Sequence, residues 1–183
     1  MKDVSVKNFM IPIYKYASVK VGSTLLDAIE AIDENHQKNN TNLEPCRAVL
    51  VIDDNTEVIG KIGHFAFFKA LEPNYQELVL DKKKENKSEG IDDIESMIEK
   101  HHLWDESFSD TCKKVKNVKV EDSMTPITEY LKEDASLAEA MHKFILWDTL
   151  SLFVKENNKI VGIVRLIDIY TELIKYIKVK CSN

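Results

Sequence analysis

This chain repeats itself, and an internal repeat constrains a fold more than any single motif does. Val6-Lys7-Asn8-Phe9-Met10-Ile11-Pro12-Ile13 aligns with Val120-Glu121-Asp122-Ser123-Met124-Thr125-Pro126-Ile127, matching Val, Met, Pro and Ile at one offset. Thr24-Leu25-Leu26-Asp27-Ala28-Ile29 aligns with Ser136-Leu137-Ala138-Glu139-Ala140-Met141, and Val58-Ile59-Gly60 with Ile160-Val161-Gly162. The offset shrinks along the chain, so the first copy carries roughly ten extra residues. They are placed in 33–45, a polar, Asn-rich stretch.

The physical pattern repeats with the letters. Thr24-x-x-Asp27 and Ser136-x-x-Glu139 are capping-box starts at equivalent positions. Leu25, Ile29 and Ile32 then follow at helical spacing in one copy, and Leu137, Met141, Phe144 and Ile145 in the other. Each helix leads to an apolar run, 48–52 or 150–154, short enough for a buried strand. Turn residues come next, Asp53-Asp54-Asn55 and Glu156-Asn157-Asn158. A second strand then passes through Gly60 or Gly162, and a second helix covers about 65–71 or 167–177. One such unit leaves its sheet poorly covered, and two copies packed sheet to sheet bury what one cannot. The expectation is an α+β fold of two β-α-β-β-α repeats, over 1–72 and 118–179, packed as a pseudo-twofold pair. An insert occupies 73–117 and a tail 180–183.

Composition narrows the partners. With 183 residues, 44% of them hydrophobic, the chain can bury a core without metal or disulfide staples. Its 25 Lys and Arg against 31 Asp and Glu leave a net charge of -6, which repels a nucleic-acid backbone but still permits a local anion site. Cys46, Cys112 and Cys181 are scattered, without C-x-x-C spacing, which points to a reducing compartment rather than a disulfide framework or zinc site. The opening MKDVSVKNFM lacks the apolar run of a signal peptide. No stretch approaches the roughly 18 apolar residues of a membrane helix. A soluble, cytoplasmic protein is expected.

Val120-x-x-Ser123-Met124-Thr125-Pro126, then Ser136-Leu137-Ala138-Glu139-Ala140, then Ile160-Val161-Gly162-Ile163-Val164-Arg165-Leu166-Ile167-Asp168 resembles a cystathionine-β-synthase-type (CBS) domain. The first copy completes the pair such proteins carry. The resemblance implies a tandem module, often homodimeric, that binds adenine nucleotides or related adenosyl ligands in clefts between the repeats. It implies a sensor rather than a catalyst. The family's closing motif is Gly, two apolar residues, Thr or Ser, two residues, then Asp. Here Gly162 and Ile163 open it, Arg165 replaces the hydroxyl and Asp168 closes it. A carboxylate at a helix start accepts from both ribose hydroxyls, the helix N-terminus favours a phosphate, and an arginine can hold one bidentately. The family geometry further implies that Met124, Thr125, Pro126 and Ile127 pass beside the base, and that backbone groups near Thr149 and Ser151 read the adenine edge. The plain alternative is a capping Asp168, a solvated Arg165 and ordinary core packing for Met124, Ile127 and Ile163. In the first copy Gly63 stands at the position of Arg165 and Ala66 at that of Asp168. Neither grips a ribose or a phosphate, so one adenosyl site is expected, not two.

Other features have solvated or structural readings. His101 and His102 with Asp105 lack a third ligand, and adjacent histidines on a helix point about 100° apart. Trp104 with Phe108 is read as packing on the parent domain. Lys82-Lys83-Lys84 falls in the polar run 81–90, read as a mobile linker. Ile91, Ile94, Met97, Ile98 and His101 then mark one face of an amphipathic helix that needs a surface to cover.

No nucleophile–base pair, P-loop or Gly-rich phosphate cradle is present, so no enzyme and no required cofactor are expected. The leading reading is a stand-alone, energy-sensing regulatory module for AMP, ADP, ATP or S-adenosylmethionine. Two repeats and an insert use up the chain, so its output passes to a client protein. The alternative is an interaction module whose nucleotide site has decayed. Ile169, Tyr170, Leu173, Ile174 and Ile177 give the last helix more apolar surface than one small sheet needs, which fits a homodimer.

Overall fold

A computed structural model of the chain describes residues 1–38, 48–75 and 91–181. Over those residues it is an α+β fold with two four-stranded sheets and seven α-helices. The first copy runs through a 3-10 turn at Val6–Asn8, β1 (Met10–Pro12), β2 (Ala17–Lys20), α1 (Leu25–Lys38), β3 (Val49–Ile52), β4 (Val58–Ile62) and α2 (His64–Leu71). The insert contributes α3 (Ile91–Lys100) and α4 (Phe108–Asn117). The second copy runs through α5 (Val120–Ser123), β5 (Thr125–Pro126), β6 (Tyr130–Lys132), α6 (Leu137–Leu146), β7 (Ser151–Glu156), β8 (Lys159–Arg165) and α7 (Leu166–Cys181).

Local chemistry sets the starts and turns. Thr24 N–H donates to Asp27 Oδ2 at 2.6 Å while Asp27 N–H donates to Thr24 Oγ1 at 3.2 Å, a reciprocal capping box. Ser136 Oγ accepts from Glu139 N–H at 3.2 Å at the start of α6. Asn157 and Asn158, at φ 46° and 68°, supply the two left-handed residues that a tight hairpin between β7 and β8 requires. Helix α1 has 14 residues against 10 in α6, so part of the first copy's extra length is helix. The remainder of 33–45 passes outside the described residues, as do Cys46, Lys82-Lys83-Lys84 and the linker read at 81–90.

The sheets do not follow the repeats. One has the order β1-β8-β7-β6, so the first copy's lead-in strand joins the second copy's strands. The other has the order β2-β3-β4-β5, so the second copy's lead-in joins the first copy's strands. Backbone bonds repeat the exchange. Leu137 N–H donates to the Val4 carbonyl at 2.7 Å, and Leu25 N–H to the Val118 carbonyl at 3.0 Å. Val6 N–H donates to the Ala135 carbonyl, and Val120 N–H to the Ser23 carbonyl, each at 3.0 Å. Two compact units result. One is Met1–Tyr16, Asn55–Ile59 and Pro126–Asn183; the other is Ala17–Asp54 and Gly60–Thr125. The first buries Val6, Leu131, Ala140, Phe144, Leu152 and Val164 in one cluster.

The insert packs on α2. Trp104 meets Phe68 edge-on with ring centroids 6.5 Å apart, and its Nε1–H donates to the Tyr75 hydroxyl at 3.1 Å. Glu72, only 4% exposed, accepts from Trp104 N–H at 2.8 Å and Asn74 N–H at 3.3 Å. Phe108, 91% exposed, takes no part in that packing. His102 Nδ1 lies 3.0 Å from Asp105 Oδ2, and among the described residues no group of three ligating side chains is placed to hold a metal.

Candidate functional site

The second copy's closing motif lies where β8 ends and α7 begins. Ser151 of β7 pairs with Arg165 across the antiparallel ladder, and Phe153 pairs with Ile163. The Leu150 carbonyl accepts from Leu166 N–H at 3.0 Å, which pins the start of α7 to the approach to β7. Thr149 Oγ1–H donates to the Ser151 carbonyl at 3.2 Å. The structure thus brings Thr149, Ser151, Arg165 and Asp168 to one end of the sheet. Gly162 and Ile163 lie further back in β8, where Ile163 is fully buried.

Arg165 and Asp168 form the charged centre. Nε–H donates to Oδ2 and Nη2–H to Oδ1, both at 2.6 Å, a bidentate fork closed across the junction of β8 and α7. Both side chains are largely shielded from water. The carboxylate also lies at the positive end of the helix dipole, and the fork geometry suits a guanidinium rather than an ammonium. Each group therefore satisfies the other, which neither the ligand reading nor the solvated reading of Arg165 anticipated.

The lead-in strand beside this motif is the first copy's. β1 pairs antiparallel with β8, matching Met10 with Val164, Ile11 with Ile163 and Pro12 with Gly162. A Cβ on Gly162 would come within 2.5 Å of Met10 Sδ and 2.8 Å of the Ile11 carbonyl oxygen, so only glycine permits this approach. Met124 and Thr125 stand instead against Gly60, where a Cβ would meet Met124 Sδ at 2.7 Å and the Thr125 carbonyl at 2.9 Å. Pro126 ends β5, and its carbonyl accepts from Thr128 N–H at 3.1 Å, with Ile127 half-buried between them. Met10, Ile11 and Pro12 are thus the lead-in residues beside the second closing motif. The signal for them was the repeat alignment, which equates Met10-Ile11-Pro12 with Met124-Thr125-Pro126.

At the first copy's closing motif, a Cβ on Gly63 would meet no heavy atom within 4 Å. Ala66 offers no polar atom. Lys61, between Gly60 and Ile62, is the charged residue of that strand, and burial pushes its ammonium down to about 8.

Residues 115–175 match the family model of the CBS domain. No curated protein matches the chain by sequence. Solved structures do match it in fold. A CBS domain-containing protein of unknown function from Bacillus anthracis str. Ames Ancestor is 19% identical, with a TM-score of 0.61 over 95% of each chain. The CBS-pair protein CBSX2 from Arabidopsis thaliana is 18% identical, with a TM-score of 0.57 over 94% of this chain and 96% of its own. A structure of CBSX2 in complex with AMP is 19% identical, at a TM-score of 0.57 over 94% of this chain and 97% of its own. At these identities the likeness is one of fold. The second repeat is a CBS domain, and the chain as a whole has the fold of a tandem CBS-pair protein.

Proposed function

We propose that this chain is a non-catalytic regulatory module that binds one adenine nucleotide or adenosyl ligand at the closing motif of its second repeat and signals to a partner. The observation that carries the reading is the Arg165–Asp168 fork at the start of α7. It supplies the two groups a nucleotide needs, a carboxylate for the ribose diol and a guanidinium for phosphate. CBSX2, which shares the fold, has been solved with AMP. Binding here exchanges partners: Asp168 leaves the guanidinium for the ribose hydroxyls, and Arg165 turns to the phosphate. The ligand thereby converts a closed ion pair into two ligand contacts and shifts the population of the first turn of α7. Gly63 and Ala66 leave the first repeat without either group, which supports one site rather than two. Scattered cysteines, with Cys112 and Cys181 exposed as thiols, support a reducing cytoplasmic setting, and no helix among the described residues is long and apolar enough to cross a membrane.

Thermal unfolding with AMP, ADP, ATP and S-adenosylmethionine tests the reading. A ligand at about 100 times its Kd adds about 2.7 kcal/mol to the folded state. For a chain of this size that is a rise of roughly 5–10 °C in Tm. The rise should vanish in Asp168→Ala. Arg165→Ala should lose the preference for phosphorylated ligands while still binding adenosine. The closed fork also favours a second reading, in which the pair only locks α7 and the chain is an interaction module. Absence of any shift with all four ligands selects it. A homodimer fits either reading. Ile145, at 84% exposure, Leu146, Leu150, Ile167 and Tyr170 expose apolar surface in one compact unit, and sedimentation of Ile145→Glu as a monomer against a wild-type dimer checks that assembly.

A further inference from the structure

The two repeats differ beneath their helices. In the second, Phe144 is 3% exposed and fills the space between α6, β7, β8 and α7, together with Ala140, Leu152, Val164 and Ile169. The aligned position in the first repeat is Ile32, which is smaller. A hollow of about 230 Å³, open to solvent on one side, lies between α1 and α2, lined by Ala28, Ile29, Ile32, Val49, Ile62 and Phe67.

A solvent-open hollow of this size and mainly apolar lining suits one aromatic ring with a short substituent. The rim is not neutral. His64 at the start of α2 brings an imidazole to the lining, and among the described residues Asp33, one residue beyond Ile32 on α1, is its sole carboxylate. It favours a cation and repels an anion. We propose that this hollow binds a compact aromatic amine, with its ring among the isoleucines of α1 and β4 and its ammonium at Asp33. Phe68 shares the lining and meets Trp104 edge-on, so occupancy is felt by the insert. The site is separate from the Arg165–Asp168 fork and does not depend on the nucleotide reading.

Titrating phenethylamine and phenylacetate into the full chain, with isoleucine methyls followed by NMR, tests this. Phenethylamine should shift the methyls of Ile29, Ile32 and Ile62 and leave that of Ile163 in place. It should bind at least roughly fivefold more tightly than phenylacetate, the scale of an exposed ion pair against a repulsion. Asp33→Asn, a surface change that leaves folding intact, should bring the two affinities together. Ile32→Trp, which fills part of the hollow, should weaken binding of both. Equal affinities in the wild type, or unmoved methyls at saturating amine, overturn the proposal. So does a shift of the same three methyls on simple dilution of the protein, because it would mean that a second copy fills the hollow.

Discussion

Gly162→Ala probes the exchange of lead-in strands directly. Its Cβ would lie 2.5 Å from Met10 Sδ and 2.8 Å from the Ile11 carbonyl oxygen. The thioether is flexible and can turn aside. The carbonyl belongs to β1, whose Ile11 is paired with Ile163 of β8, and it cannot retreat without opening the ladder. Overpacking of a tight interior costs about 1–3 kcal/mol, and a backbone obstacle places this case near the upper end. Met10→Ala in the same chain removes the side-chain part and leaves the carbonyl part. The double mutant should therefore recover roughly 1 kcal/mol beyond additivity, the usual coupling of residues in contact. Gly60→Ala should couple in the same way to Met124→Ala, since its Cβ would meet Met124 Sδ and the Thr125 carbonyl. Urea unfolding followed by circular dichroism gives all the free energies. Gly162 coupling to Met124 rather than Met10 refutes the exchange. Gly162→Ala within about 0.5 kcal/mol of wild type, the range of ordinary surface changes, refutes the close approach itself.

Two further predictions concern buried charge. Glu72→Ala strands the Trp104 and Asn74 N–H groups it now accepts from, which should cost about 2–3 kcal/mol. It should also release the left-handed turn at Trp104, φ 63°, and move its emission to the red when read in a Trp147→Phe background. Lys61 titrates near 8 in the folded chain against 10.5 in the unfolded one, so between those values the unfolded chain binds more protons and stability rises with pH. Relative to Lys61→Met, wild type should gain on the order of 3 kcal/mol between pH 7.5 and 10.5. A flat difference in denaturation free energy across that range means the ammonium is not buried.

Much of this fold is local and therefore legible in the letters. The capping box at Thr24, the N-cap at Ser136 and the two asparagines of the β7–β8 hairpin are short-range chemistry, and the structure shows them where the sequence places them. What the letters cannot show is which sheet a lead-in joins. Met10 and Met124 occupy equivalent local patterns, and only the tertiary hydrogen bonds decide that β1 goes with β8 and β5 with β4. Helix α4 was legible but passed over, since Ser107-x-x-Asp110 is another capping start and Ser107 Oγ does accept from Asp110 N–H at 3.3 Å. The Arg165–Asp168 fork was legible too. Arg165 directly precedes α7 and Asp168 lies in its first turn, so opposite charges at this spacing meet across the helix start.

The exchange also explains why the two repeats were able to diverge at their closing motifs. The contacts that fix each lead-in are backbone hydrogen bonds, Leu137 to Val4 and Leu25 to Val118, and a glycine pressed against a methionine and a carbonyl. None depends on the side chains at the start of α2 or α7. Those positions lie outside the joint, and their chemistry can change without loosening it. In the second repeat they carry a guanidinium and a carboxylate that hold each other in a fork. In the first they carry Gly63 and Ala66. A reversal of the first repeat toward the second should therefore require Ala66→Asp together with Gly63→Arg, because an arginine at 63 without a carboxylate at 66 has no fork to set its rotamer.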